Sequence, residues 1–511
     1  FANKAEIGGD SSGNGNSFTA NNISDAEGAG LDLLVDFPTN GSETDTGAGG
    51  EVSGNYCSWS PLAKGSNMVL KNGNLDIATT TGKSAVLGTI GMSSGKWYWE
   101  TTINGSSDRT MVAIGKQGMT LSDAPGQGDA LGWGYYADGG AKRNGGTSTS
   151  YGAGFAGGGD VIGCAFDADN GTLTFYKNGT SQGTAFTGLT DGPYFPATGD
   201  GSGVNNANSS VNFGQRAWAY SAPSNHKALC TTNLPTPTIL DGRDHFETKL
   251  WTGNSSDQRA ITGYQFSPDF VWIKRRNASY SHPIMDTVRG LNNGHAGVLY
   301  VNANNAEDTG STGSIRSFNS DGFNLGTDGG INYSGSTYVG WAWDAGSSTV
   351  SNNDGGITTS LRVNASCGVS IAKYSFNNNN GNQTLGHGLG VIPDLVIRKD
   401  TNVGDPWSIY SKAVGFTSRG HFTNAAFSGT TTFGSASATN TVNRANNMNN
   451  GTYVDYSFAA IPGFSAFGTY VGNGGTTNGP FVYTGFRIKF LMVKRIDSIG
   501  GDWRIFDTER D

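Results

Sequence analysis

Three stretches in the second half of the chain repeat one another at nearly fixed spacing, and this limits the possible folds more than any other feature. The first holds "FETKLWTGN", "SPDFVWIKRR" and "PIMDTVRG"; the second "SIAKYSFNN", "IPDLVIRKD" and "WSIYSKAVG"; the third "AFGTYVGN", "RIKFLMVKR" and "WRIFDTERD". From Trp251, Tyr374 and Tyr470 the chain runs 17, 19 and 18 residues to Pro268, Pro393 and Ile488, then 18, 18 and 19 more to Asp286, Ser411 and Asp507. Such self-similarity means one supersecondary unit used several times. Each copy sets an apolar run against a basic pair, as in Phe270-Val271-Trp272-Ile273 before Lys274-Arg275, and a run of that length suits a strand buried on both faces. The basic pair is expected to end the strand in solvent, facing Asp286 or its equivalents; the alternative is an anion or sugar-acid site repeated along the chain.

The first two copies continue to "TYVGWAWDAG" and "TYVDYSFAA", and the third lacks the Pro-Asp pair at Ile488-Lys489, so its strand is expected to start differently. Tyr338 and Tyr453 lie 52 and 42 residues beyond Asp286 and Ser411, whereas the third copy has four residues after Asp507. The expectation is a longer intact polypeptide, with roughly 40 to 50 further residues ending in another "TYV"-like strand.

Glycine is 80 of 511 residues and charged residues only 14%, yet aromatics reach 11%. A disordered glycine-rich linker would lack those aromatics, so the composition points to folded, turn-dense β-protein. The formal charge of −8 and a pI near 5.3 argue against a nucleic-acid partner, since the densest basic cluster is Lys274-Arg275-Arg276. No segment approaches the ~20 apolar residues of a membrane span, so no membrane insertion is expected. No signal peptide is visible, and Phe1 stands where an initiator Met would. Cys57, Cys164, Cys230 and Cys367 are too scattered for a disulfide framework or a CxxC metal site and are expected as buried thiols.

No catalytic constellation, cofactor motif or metal site is expected. HExxH and P-loop motifs are absent. The acid-rich "DGRDHFE", with Asp241, Asp244, His245 and Glu247, has the residue types of a glycosidase carboxylate pair, but its place between domains favours a solvated linker. His387 in "HGLG" suits a turn.

In the first half, "NGNLDIATT", "GKWYWETTI", "RTMVAIG" and "GWGYY" are short strand candidates between glycine-rich turns, the spacing of a β-sandwich. "GDVIGCAFDADNGTLTFYKNG" is a β-hairpin whose Asp167-x-Asp169-x-Gly171 resembles the start of a calcium loop, although the ligand series does not continue; turn chemistry is the expectation. Trp97 and Trp99 share one face of their strand and are expected in the core rather than on a stacking platform.

With "GPYFPATG" and "VNFGQ", these segments resemble a SPRY domain over about residues 51–220. The resemblance implies a two-sheet β-sandwich that binds partners through loops at one end and is not an enzyme. The stretch "GWGYYADGGAKRNGGTSTSYG" is the expected ligand loop, with Trp133, Tyr135, Tyr136, Lys142, Arg143 and Tyr151 set among glycines for stacking on sugars or docking on protein surfaces. Core burial of half these aromatics is equally compatible with the pattern.

The fold class is therefore all-β: a SPRY-type sandwich followed by tandem β-rich repeat modules joined by Gly/Asn/Ser-rich linkers. Expected boundaries are 1–50, a linker or the end of a preceding lectin-like domain; 51–225, the sandwich; 236–346, repeat 1; 347–366, a linker; 367–464, repeat 2; and 465–511, a truncated repeat 3. The repeat, with "GDSSGNGNSFTANNIS" and "LVDFPTNG", resembles the glycine-rich tail-fibre or host-recognition proteins of bacteriophages. That resemblance implies a virion fibre or appendage, assembled in the host cytoplasm and displayed outside it. It also implies a homotrimer contacting other virion proteins and a host surface glycan or protein. A capsid or tail decoration protein without receptor binding, or a bacterial surface adhesin, are the alternatives.

Overall fold

A computed structural model describes residues 44–510, apart from 81, 106–108, 204–206, 378–382, 423–425, 430–440, 444–448, 473, 475–478 and 499–500. The first 43 residues, including the expected lectin-like or linker segment, lie outside the described residues. The chain forms two units, Phe1–Thr236 with Tyr470–Tyr483, and Pro237–Thr469 with Thr484–Asp511.

The first unit is a sandwich of two antiparallel sheets. One runs in the order Trp59–Lys64, Ser84–Gly88, Phe195–Asp200, Thr110–Gly115, Gly132–Tyr136, Ala141–Asn144, Thr147–Ser150. The other runs Thr180–Phe186, Thr172–Lys177, Val161–Asp167, Lys96–Ile103, Asn208–Asn212, Asp76–Thr79, Met68–Lys71. Trp97 and Trp99 both point into the core between the sheets, at 2% and 0% exposure, as period-two alternation requires. Tyr98 and Glu100, on the opposite face, are covered as well: Trp218 lies edge-on against Tyr98 at 5.1 Å, and the Glu100 carboxylate accepts from the backbone N–H of Ala219 and Tyr220. The chain after the sandwich thus closes back over its central strand. The start also differs from expectation, because Asp45 accepts from Ala228 N and Gly49 bridges Ala217, placing the boundary before residue 51.

The Val161–Asp167 and Thr172–Lys177 hairpin settles the Asp-x-Asp-x-Gly question. Asp167 accepts from Asn170 N, Asn170 Nδ2 and Lys96 Nζ (2.9 Å), and Asp169 accepts from Gly95 N. These oxygens are engaged in turn and ion-pair contacts. Gly171 sits at φ +62°, where a Cβ would meet Leu189 N at 2.7 Å, so only glycine fits.

In the second unit, the two complete copies build the same sheet. Copy 1 runs Phe246–Thr252, Thr337–Trp343, Phe270–Arg275, Pro283–Asp286; copy 2 runs Val369–Phe376, Gly451–Phe458, Leu395–Asp400, Ser408–Ser411. Register is also conserved between the copies: Phe270 faces Trp343 and Asp286 as Leu395 faces Phe458 and Ser411. Trp251 stacks on Tyr338 at 5.7 Å and 15°, and Tyr374 on Tyr453 at 5.8 Å and 17°. Copy 3 supplies a two-stranded piece, Phe490–Val493 with Arg504–Asp507, whose Phe490 faces Asp507 as Phe270 faces Asp286.

Alternation divides each sheet between two cores. Phe270, Trp272, Ile284 and Trp341 of copy 1, Ile371, Ile397, Ile409 and Tyr456 of copy 2, and Phe490, Met492, Trp503 and Ile505 of copy 3 meet in one shared core. The opposite face of copy 1 is covered by a small sheet of Arg259–Thr262, Gly322–Leu325 and Ile315–Asn319. The opposite face of copy 2 is buried in a separate cluster around Tyr374, Val396 and Tyr410.

The copies meet in a cyclic order. Tyr456 of copy 2 donates to Asp286 of copy 1 (2.7 Å), and Trp341 of copy 1, at the same repeat position as Tyr456, donates to Asp507 of copy 3 (3.0 Å). Trp407 of copy 2 donates to the Tyr300 carbonyl of copy 1 (2.9 Å), and Trp503 of copy 3, the equivalent of Trp407, donates to the His421 carbonyl of copy 2 (2.7 Å). Each donor therefore reaches the copy before it in the cycle, the arrangement of a three-sided prism.

Several boundaries differ from expectation. Residues 347–366 are no linker: Val350–Asn352 and Thr359–Asn364 extend the sheet of copy 2. Residues 466–472 of the "AFGTYVGN" segment of copy 3 are not a strand, and the strand its counterparts pair with, the "TYV" strand, has no equivalent among the described residues. The basic pairs do not face Asp286, whose carboxylate is taken by Arg289 and Tyr456. In copy 2 the pair is buried: Arg398 grips Asp455 through two hydrogen bonds (2.8 and 2.6 Å), and the Lys399 amine donates to the carbonyls of Asn304, Asp400, Val403 and Asp405. A buried cation needs that many acceptors to replace water.

Two outcomes follow. Tyr456→Phe is expected to lower the stability of the second unit by roughly 1.5–3 kcal/mol, the range for a hydrogen bond to a charged group; an unchanged midpoint in urea denaturation would contradict the cyclic contact. Hydrogen bonds from Asn170 and Lys96 outweigh partial burial and hold the Asp167 carboxyl down at about 2, from 3.8. Its stabilisation is complete above pH 3.8 and is lost as pH falls through about 2. Asp167→Asn should therefore melt below the native chain at pH 7 and level with it near pH 2, and millimolar calcium should shift neither melt.

Candidate binding surface

The six residues expected in a ligand loop converge, but not in a loop. Residues 132–151 form three strands, Gly132–Tyr136, Ala141–Asn144 and Thr147–Ser150, at one end of the seven-stranded sheet. Tyr135 is fully buried, with its ring against Phe155 (4.7 Å), Tyr151 (5.1 Å) and Phe175 (5.2 Å), and is a core residue rather than a ligand contact. Burial pushes its hydroxyl well above the usual tyrosine range. Trp133 is half-buried edge-on to Tyr194. Tyr136, on the other face, is 6% exposed beneath the Arg143 guanidinium, which lies 4.1 Å from the ring centre.

Lys142 and Tyr151 are half-buried in a seam joining this end of the sheet to Thr180–Phe186. The Lys142 amine donates to the Ala185 carbonyl (2.6 Å) and lies 5.3 Å from the Phe186 ring, while the Tyr151 hydroxyl donates to the Gly183 carbonyl. Burial raises the Tyr151 hydroxyl to about 12, so it stays a donor at neutral pH. The seam is closed further by Gln182, which accepts from Ala153 N (2.9 Å).

What faces solvent is the edge itself. Every residue of Thr147–Ser150 is exposed, and so are Thr180, Ser181 and Thr184 on the neighbouring strand. Sheet edges are commonly blunted by charge, proline or a bulge. This edge instead carries uncharged hydroxyls after a Gly145-Gly146 turn at φ +58° and +75°, and so offers donors and acceptors without a desolvation cost for charge. The aromatics that drew attention to the segment hold the edge in place from beneath. Their alternation with glycine was visible in the sequence; the seam with Thr180–Phe186, where Lys142 and Tyr151 reach backbone carbonyls of the other sheet, was not.

The other candidates are engaged structurally. Asp241 pairs with Arg243 and Glu247 with Lys249 (2.6 Å), so the acid-rich segment does not present a carboxylate pair. His387 is buried and accepts from Leu389 N, closing a turn. His245, Asp344 and Cys367 bring ligand-type atoms within 4.8 Å of one another. Asp344 Oδ2, however, accepts from His245 Nδ1 (2.8 Å) and Asn364 Nδ2 (2.6 Å), Oδ1 accepts from Gly346 N, and burial raises the Cys367 thiol to about 12. A protonated thiol donating to the Asp344 carbonyl is a packing contact, not a metal ligand. All four cysteines are buried and free. Gly-x-Ser-x-Gly pentads at 91–95 and 179–183 invite comparison with a hydrolase nucleophile elbow, but one lies in a turn before Lys96–Ile103 and the other in the Thr180–Phe186 strand, and neither opens a helix; a third, 9–13, lies outside the described residues.

Residues 96–216 match the SPRY domain family. Residues 241–511, more than half of the chain, match the family described as a domain of unknown function, DUF7483. The chain belongs to the DUF7483 family. Its DUF7483 region begins at the acid-rich segment and takes in all three repeat copies, so the three-sided unit is the DUF7483 fold as seen in this chain. Similar solved structures include the SPRY domain of human HERC1, 22% identical over 30% of this chain and 96% of that one, with a TM-score of 0.27. The TRIM65 PSpry domain is 15% identical over 31% and 92%, with a TM-score of 0.27. Stonustoxin is 17% identical over 31% and 27%, with a TM-score of 0.25. No curated protein matches the chain.

Core and edge residues of this segment should respond differently to truncation. Tyr135→Ala is expected to cost about 3–5 kcal/mol, as for large aromatic truncations in cores, and Ser148→Ala to stay within about 0.5 kcal/mol. Equal effects in denaturant melts would show that the edge is part of the core.

Proposed function

We propose that the chain is a non-catalytic binding protein of a bacteriophage particle, a fibre or appendage component that adheres to the host surface through the SPRY sandwich while the DUF7483 unit serves as a rigid stem. The observation that carries this reading is the exposed, uncharged hydroxyl edge Thr147–Ser150 beside Thr180–Phe186, held rigid by buried aromatics. Rigid aromatics under an adaptable polar rim give a contact surface that loses little entropy on binding. SPRY domains serve protein interaction in general, and the Gly/Asn/Ser-rich texture with its repeat resembles phage tail-fibre proteins. The partners on this reading are a host surface glycan or protein, other virion proteins, and further copies of the chain in a homotrimer. The acidic and histidine groups tied into structural pairs favour binding over hydrolysis.

Adsorption competition tests the reading. Purified chain added to host cells should block adsorption of the parent phage. The double variant Ser148→Arg with Ser181→Arg, which keeps the fold but places two cations on the edge, should lose most of that blocking. Immunogold labelling confined to the capsid shell, with no blocking by the native chain, would overturn it in favour of a decoration protein.

A further inference from the structure

Among the described residues, two sides of the prism are finished and the third is not. Phe270–Arg275 and Leu395–Asp400 are each flanked on both edges, the second edge being taken by Thr337–Trp343 and by Gly451–Phe458. Their counterpart Phe490–Val493 pairs only with Arg504–Asp507 among the described residues. The outer faces differ in the same way. Val271 and Met285 in copy 1 are both 0% exposed, and Val396 and Tyr410 in copy 2 are 0% and 2%; the equivalent Leu491 and Phe506 are 38% and 53% exposed. The cycle of aromatic donors also stops here. Asp286 and Asp507 each receive an aromatic donor from the neighbouring copy, whereas Ser411, at the same position in copy 2, has no such donor among the described residues.

We propose that the edge of Phe490–Val493 left unpaired by the described residues is a docking site for one extended segment of the pattern Thr-Tyr-Val-x-aromatic-x-aromatic, added as an antiparallel strand. The pattern is that of the two strands filling the equivalent places, "TYVGWAW" and "TYVDYSF". The register follows from the finished sides. In copy 1, Trp343, Ala342 and Trp341 stand opposite Phe270, Val271 and Trp272, so the last, sixth and fifth residues of the docked segment stand opposite Phe490, Leu491 and Met492. The fifth-position aromatic then lies on the inner face, turned toward Ser411, as Tyr456 is toward Asp286 and Trp341 toward Asp507. Backbone hydrogen bonds along the edge give affinity, and burial of the aromatics against a core already formed gives selectivity. A glycine-rich or charged segment lacks the second term.

The probe is a fluorescent peptide carrying Gly451–Phe458 between short soluble tails, titrated into the native chain. Saturable one-to-one binding is expected, with at least about a tenfold loss for a scrambled peptide. Register is read independently of affinity. Leu491→Cys should form a disulfide with a peptide bearing Ser457→Cys, the residue type that faces it, and not with one bearing Tyr456→Cys, which points to the other face. No binding of the native peptide, equal binding of the scrambled one, or indiscriminate crosslinking would overturn the proposal. So would a dimer of the chain, seen by sedimentation, that buries Leu491 and persists in excess peptide, since that would assign the edge to a second copy.

Discussion

The second unit depends on one constraint: no repeat copy can bury both faces of its sheet alone. Copies 1 and 2 cover their outer faces with local material, but the inner aromatic face of each copy must meet two others. Cores of this kind are held by apolar burial, with each fully buried large side chain worth about 1.5–3 kcal/mol. What orients the copies is the small set of polar atoms at their borders. An indole or phenol buried against a neighbour must find an acceptor, and the carboxylates of Asp286 and Asp507 and the carbonyls of Tyr300 and His421 supply it. Rotation of one copy would orphan those donors, so a permissive apolar interface becomes a specific one.

The same carboxylates show how a motif works twice. In "DTVRG" and "DTER", the aspartate accepts from the backbone N–H groups two and three residues on and from the arginine side chain at the third, while that arginine also reaches the carbonyl of Ile284 or Ile505. The turn is thereby locked with its carboxylate aimed at the neighbour. In copy 2 the serine at 411 lacks this charge, and that copy instead has the Arg398–Asp455 pair buried within its own sheet, where copy 1 has Ile273 and Gly340. A residue larger than glycine at 340 would collide with the Trp251 ring, 2.8 Å from its Cβ. The two copies thus fill the same space by different means.

The repeat, its strands and the sandwich were legible in the sequence because period-two burial and turn residues are local signals. The shared core was not. Nothing near Tyr456 announces Asp286, 170 residues away, as its partner. The basic pairs were misleading for a related reason: Lys and Arg usually mark solvent, and only the carbonyls gathered around Lys399, three from the turn that follows it and one from Asn304 in copy 1, make its burial tolerable. In the first unit, aromatics among glycines suggested a binding loop, since composition alone does not separate a ring that supports an edge from one that presents itself. Side-chain contacts across to Thr180–Phe186, in the other sheet, made that distinction.

Hydrogen–deuterium exchange of the native chain, followed by mass spectrometry, is the most direct test of a common core. If the copies share it, Thr337–Trp343 and Gly451–Phe458 should open together, with the same free energy and the same dependence on denaturant. Independent opening of the two strands, one exchanging fully while the other stays protected, would contradict a shared core and reduce the repeats to separate modules on one chain.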